Sequence, residues 1–252
     1  YNFNKNNIDE LDGGIDIYYN SGWGSSAQHP SYDYVLSEGK PVGVIRGFKS
    51  AGFYTVDDFD YVDGVYKLKA GIPDISTAAT GTYRRPSELQ VADGQIAFPG
   101  ALKLQDVDKS GIVDLDDVVD LGEVQAKHTG GFSLNGNYKN IDFSFMFQFQ
   151  YGNDVYNATR MFNTQSQDER SNQLAEVADR WTPTNASNRV PSAKGYVKYE
   201  LYSRFVEDGS FLRLKNVTLG YTLPNKWTKK AYINRLRVYG TAQNLFCLTK
   251  YS

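Results

Sequence analysis

Between Asp106 and Asp117 the chain reads DVDKSGIVDLDD, and its side-chain oxygens recur at a spacing suited to a hard cation. With Asp106 as the first position, Asp108 is third, Ser110 fifth, Asp114 ninth and Asp117 twelfth, and the main-chain carbonyl of Ile112 stands seventh. Gly111 is sixth, where the loop must turn sharply and a positive φ is needed. This is EF-hand ligand order, with Asp117 in place of the usual bidentate glutamate. Calcium is the expected ion, because magnesium resists dehydration and demands octahedral geometry. Its expected role is structural, since neither a nucleophile nor a base accompanies the motif. The competing reading is a solvated acidic turn, because an aspartate at the twelfth position reaches less far than a glutamate.

Other chemistry is sparse. The two histidines, His29 and His128, lie in no motif that supplies a nucleophile or a second metal ligand, and read as polar loop residues. Cys247 is the single cysteine, which excludes an internal disulfide and a cysteine-based zinc cluster, and reads as a small packed side chain. The neighbouring carboxylates Asp57 and Asp58, or Glu207 and Asp208, resemble an acid and base pair for glycoside cleavage. Read as strand residues, however, neighbours point to opposite faces and cannot flank one bond. No catalytic residues are assigned and an enzymatic role is not expected.

The elements around these residues are strands. Nineteen tyrosines, 14 phenylalanines and 23 glycines against two methionines favour strands and turns over helices. The 27 basic and 29 acidic residues are interspersed along the chain, which argues against a nucleic-acid partner. Residues 141–151, IDFSFMFQFQY, place Ile141, Phe143, Phe145, Phe147, Phe149 and Tyr151 on one face and Asp142, Ser144, Met146, Gln148 and Gln150 on the other. The alternating run 131–138 precedes it across Lys139 and Asn140 alone, which predicts a tight hairpin. A second pair spans about 205–223 and 235–247. Within it the apolar phase reverses between Leu214 and Val217, predicting either a bulge near Lys215 and Asn216 or a strand that leaves the apolar layer there.

Turns between paired strands are short, whereas residues 10–128 and 152–204 form long links that read as folded rather than structureless. They include short strands over 39–60 and a short helix over 171–181, capped by Ser171. Short turns at one end and long loops at the other are the habit of outer-membrane barrels, whose low mean hydropathy reflects a polar lumen. The expected fold is therefore all-β: a segment of an antiparallel transmembrane β-barrel, incomplete in this chain, with 10–128 and 152–204 as extracellular loops. Phe143, Phe145, Phe147, Val217, Leu219 and Leu236 should face lipid, Gln148 and Gln150 the lumen. Trp227 and Tyr232 should sit in the periplasmic aromatic girdle. The opening YNFNKNN is no signal peptide, so for an exported barrel the natural start is expected upstream.

SRFVEDGSFLRLKNVTLGYTLP (203–224), followed by RLRVYGTAQNLF and TKYS, closely resembles the C-terminal region of SusC/RagA-type TonB-dependent outer-membrane transporters. EGKPVGVIRGFKSAGFY, LKLQDVDKSGIVDLDD, HTGGFSLNGNYKNIDFSFMFQFQYGNDVYN and DRWTPTN are similar to family blocks in family order. The resemblance implies a Gram-negative outer membrane of the Bacteroidetes type and uptake of large nutrients, mostly oligosaccharides and sometimes peptides. It also implies a SusD-like surface lipoprotein as lid and TonB as the source of drive. Plug domain, TonB box and the other strands are not in these residues. A secreted calcium-dependent carbohydrate-binding sandwich and a glycan-degrading enzyme are the alternatives; the sandwich predicts two sheets packed over a shared core.

Overall fold

The computed structural model describes residues 1–22, 32–76, 85, 87–164, 172–186, 189–193 and 201–251. Its chain divides into two compact units. One comprises Tyr1–Asn6, Val124–Val155 and Glu207–Ser252; the other comprises Asn7–Glu123 and Tyr156–Val206.

The first unit is one antiparallel sheet. Its strands lie in the order Asn2–Phe3, His128–Tyr138, Ile141–Tyr151, Phe211–Thr222 and Arg237–Thr249. The Lys139 and Asn140 hairpin forms as the alternation requires, with Lys139 at a φ of 55° to reverse the chain. Its register is unbroken from Tyr138 opposite Ile141 to His128 opposite Tyr151. Of the two expected outcomes at the phase reversal, the bulge is the one that forms. Phe145 pairs with Val217 and Met146 with Asn216, but Phe147 pairs with Leu214, so Lys215 is the extra residue. That insertion brings Leu212 and Leu214 onto the same face as Val217 and Leu219, and removes the phase reversal seen in the sequence. A second irregularity, between Leu214 and Asn216 against Phe246 and Gln243, contains Asn244 at a φ of 51°.

Two boundaries differ from expectation. The sheet strand begins at Phe211, not near 205, because Val206–Asp208 pairs separately with Asp154–Tyr156 and Gly209 and Ser210 intervene. The last strand runs from Arg237 to Thr249, so that Leu236 lies one residue before it, its carbonyl accepting from the Leu223 N–H.

The second unit holds the long links, and their described residues are folded, as expected. Phe48, Phe53, Tyr54, Phe59, Ile75, Phe98, Leu102, Leu104, Val113, Met161, Tyr202 and Phe205 are all buried in one apolar core. Around them lie short strands, including the four-stranded sheet Val118–Glu123, Val44–Phe48, Tyr34–Leu36 and Ile17–Tyr19. Helix Ala158–Thr164 starts where the Asn157 side chain accepts the Arg160 N–H and buries Met161. The helix expected over 171–181 is a 3-10 turn at Ala175–Asp179, and its expected cap Ser171 lies outside the described residues. No helix among the described residues is long and apolar enough to cross a membrane, which leaves a crossing by strands open.

Candidate functional site

The acidic loop is anchored on both sides by the core of its unit. Leu104 closes the strand before it, and Val113 is buried in the strand Ile112–Val113, which pairs in parallel with Asp74–Ile75. The turn at Gly111 has a φ of 93°, the left-handed geometry that glycine supplies without strain. Asp106 accepts the N–H of Ser110 at 3.1 Å and of Gly111 at 2.8 Å, and Asp108 accepts the Ser110 N–H at 2.9 Å. The hydrogen bond from the Ser110 N–H holds the Asp108 carboxyl below the usual carboxylate range.

Asp117 is fully buried (0% exposed). One of its oxygens accepts the N–H of Val107 at 2.5 Å and of Asp108 at 3.3 Å; the other accepts that of Asp114 at 3.0 Å. Oxygens of Asp106, Asp108 and Asp117 converge to within 4.8 Å of one another. The remaining expected ligands are otherwise engaged: Asp114 caps the turn Leu115–Asp117 through the Asp116 N–H, and the Ser110 hydroxyl donates to the Ile112 carbonyl at 2.9 Å. Three carboxylates thus converge as an EF-hand would place them. The serine hydroxyl and Ile112 carbonyl satisfy each other and would have to separate to bind an ion. The donor set, all oxygen and mostly anionic, fits calcium.

The carboxylate pairs do not make an acid and base. Asp57 and Asp58 lie on the 3-10 turn Val56–Asp58, not on a strand, so the opposite-faces argument does not apply to them. Burial would raise the Asp58 pKa, but the Thr55 N–H and the Lys103 ammonium 2.9 Å away outweigh it and hold the carboxyl low. Asp208 accepts the Ser210 N–H at 2.9 Å beside the sheet. His128 is not a loop residue but the first of its strand, hydrogen-bonded to the Tyr1 hydroxyl at 2.8 Å and stacked against that ring. His29 lies outside the described residues. Cys247 is exposed rather than packed, and lies opposite Arg213 on the polar side of the sheet.

The sheet itself is the larger functional surface. Along the 141–151 strand the odd positions pair across with Phe132, Leu134 and Tyr138 on one side and Leu212, Leu214, Val217, Leu219 and Tyr221 on the other. Beyond these stand Val238, Ala242, Phe246 and Leu248. Every expected apolar residue within the strands lies on this face, and Leu236 continues its phase. Phe132 stacks on Phe147 at 4.6 Å, and the Phe143 ring lies over Gly136, leaving no room there for a Cβ. The opposite face carries Ser144, Gln148, Gln150, Asn135, Thr218 and Thr241, with Arg237 donating to Asp142 at 2.9 Å. Most of the large apolar side chains are exposed, Phe132, Leu134, Ile141, Leu219, Val238 and Leu248 among them, a contiguous apolar patch of the kind that marks a membrane or partner surface. Trp227 and Tyr232, 64% and 99% exposed, are surface rather than core aromatics.

Chain direction completes the geometry. Phe3, His128, Tyr151 and Phe211 all lie at one end of the sheet, and both long segments depart and return there. The tight hairpin and the 223–236 connection share the other end.

No protein-family model matches the chain. Over its whole length it is 29% identical to TonB-dependent receptor P3 of Formosa agariphila, covering 22% of that protein. It is 38% identical to TonB-dependent receptor P26 of the same organism over 66% of this chain and 17% of the relative. To TonB-dependent receptor SusC of Bacteroides thetaiotaomicron it is 32% identical over 48% of this chain and 12% of that protein. Among solved structures, the RagAB peptide importer in its open-open state superposes with a TM-score of 0.61 at 23% identity, over 99% of this chain and 22% of that one. The chain therefore spans about a fifth of the length of the relatives it matches.

Proposed function

We propose, for a chain that belongs to the SusC/RagA-type TonB-dependent receptors, that it forms part of the wall and outer loops of an outer-membrane importer of large nutrients. The observation that carries this reading is the two-faced sheet: one face dominated by large apolar side chains, most of them exposed, over four long strands, the other mostly polar, with the chain leaving for and returning from both long segments at one end. An apolar exterior, a hydrated interior, short periplasmic turns and long extracellular loops are what a transmembrane barrel requires. The second unit is then extracellular, and the 139–140 and 223–236 turns are periplasmic.

Oligosaccharides are the proposed cargo. A SusD-like lipoprotein over the outer mouth and energy delivered through TonB complete the assembly. The role is transport, not catalysis. We further propose that the acidic loop holds a structural calcium through Asp106, Asp108 and Asp117, with Ser110, Ile112 and Asp114 recruited on binding. Millimolar extracellular calcium would fill even a site with a dissociation constant of about 10⁻⁴ M. A peptide cargo is the second reading, favoured by the structural likeness to a peptide importer. Cells carrying or lacking the full-length protein, offered labelled oligosaccharides and peptides of matched size, test both. Oligosaccharide uptake that needs the protein and collapses with the proton-motive force supports the proposal. Uptake of peptides alone would replace its cargo, and uptake of neither would end it.

A further inference from the structure

At the end of the sheet with short turns, an apolar groove of about 560 Å³ opens on the apolar face. Ile141, Leu219, Leu223, Trp227, Val238 and Gly240 line it. Gly240 makes the hollow: a Cβ built there meets nothing within 4 Å, and its backbone is outside the left-handed region. A larger residue could therefore occupy the position without strain, so the hollow reflects the missing side chain and not a constraint of the backbone.

The connection that supplies Trp227 to this groove is strongly basic. Residues 223–236, LPNKWTKKAYINRL, contain three lysines and an arginine and no acidic residue. Lys226, Lys229 and Lys230 fall at i, i+3 and i+4 over the consecutive helical turns Asn225–Thr228 and Lys229–Ala231, which sets them on one side. All three are exposed, and among the described residues none forms an ion pair. Lys139, in the neighbouring hairpin, holds its Nζ over the Tyr138 ring at 5.3 Å, on the apolar side of the sheet. At the short-turn end Asp142 is engaged by Arg237 on the opposite face.

From this juxtaposition we infer that the 223–236 turn and the groove together form a binding site for an anionic phospholipid of the periplasmic leaflet. The groove takes an acyl chain, and Lys226, Lys229 and Lys230 bind the phosphodiester. Charge complementarity selects the headgroup, since a zwitterionic lipid brings an ammonium that the lysines repel. Continuity with the apolar face selects a membrane lipid over free phosphate, which has no use for the groove. The aromatic Trp227 between the two parts suits a headgroup boundary. The inference rests on the reading of the sheet as a barrel wall.

The test uses the full-length protein purified from outer membranes, with phosphatidylglycerol and phosphatidylethanolamine titrated in turn and bound lipid counted by native mass spectrometry. Each lysine near an anionic headgroup contributes about fivefold in affinity, so the triple variant K226Q/K229Q/K230Q should bind phosphatidylglycerol roughly a hundredfold more weakly. Its binding of phosphatidylethanolamine should barely change. Gly240→Leu, which fills the hollow and keeps the charges, should weaken both lipids and retain the preference between them. Unchanged phosphatidylglycerol binding in the triple variant overturns the inference, as does tight binding by Gly240→Leu. Recovery of the protein in the outer-membrane fraction, with heat-modifiable migration, is scored in parallel. If that fails, the barrel reading fails with the inference; if it holds while lipid binding is unaltered, only the lipid site is lost.

Discussion

Exchanging Phe145 for arginine isolates the burial of the apolar face, because a near-perfect control lies one residue away. Phe145 is near the middle of the 141–151 strand, between Leu134 and Val217. Ser144, between Asn135 and Thr218, lies only about 3.4 Å away along the strand, at essentially the same depth but on the opposite face. An arginine facing lipid near the midplane costs about 2–4 kcal/mol, a shift of roughly 30- to 1000-fold in the folded fraction at equilibrium. The same residue facing a hydrated lumen should cost under about 1 kcal/mol, within the range of ordinary surface substitutions. Phe145→Arg and Ser144→Arg in the full-length protein would be compared by folded yield in the outer membrane and by urea midpoint in lipid vesicles. The expected result is a lower midpoint for Phe145→Arg alone. Equal costs, or a larger cost for Ser144→Arg, would refute the assignment of faces.

Calorimetry with calcium on the full-length protein should give binding that is lost in Asp106→Ala with Asp117→Ala; binding unchanged by that pair would leave the loop a solvated acidic turn. Because Asp117 also receives three backbone N–H groups, its removal should raise amide exchange over 106–118 even in calcium-free buffer, whereas chelation from the native protein should loosen the loop and spare the sheet. Gly100→Ala should lower the opening free energy of the second unit by about 2–4 kcal/mol, read by hydrogen exchange around Trp181, since its φ is 88° and the new Cβ would meet the Trp181 ring at 2.2 Å. The Arg160 guanidinium, bonded to both Glu176 oxygens at 2.9 and 3.0 Å, holds the Glu176 pKa below its unfolded value. Its stabilisation is therefore fully present above the unfolded pKa and lost as pH falls through the folded one, so acid should speed exchange over 158–164 and 172–179 in the native protein more than in Glu176→Gln.

Period-two alternation made the four long strands legible, and the phase slip between Leu214 and Val217 marked the place of the irregularity without deciding between a bulge and a strand leaving the apolar layer; the pairing makes it a bulge at Lys215. Strand pairing across the 223–236 connection followed from the same faces. The folded second unit was legible only as something structured: its strands are two to six residues long, too short for a period to show, and its core joins residues as distant as Phe48 and Phe205. The EF-hand spacing located the three converging carboxylates. It could not foretell that Asp114 would cap the next turn or that Asp117 would be buried and bonded to backbone, because these depend on Val113 being drawn into the core. The groove at Gly240 left no sequence signal, since a missing side chain becomes a hollow only once Leu219 and Trp227 stand beside it.

The most direct test of the central claim is water accessibility along the 141–151 strand in intact outer membranes. Single cysteines would be placed at positions 143 to 150 of the full-length protein in a Cys247→Ser background, since Cys247 is itself exposed on the polar face. A small membrane-impermeant maleimide admitted to the barrel interior should label positions 144, 146, 148 and 150 and leave 143, 145, 147 and 149 unreacted, a period of two without interruption. Uniform labelling, or protection of both sets as in a sandwich core, would contradict the reading of this sheet as a membrane barrel wall.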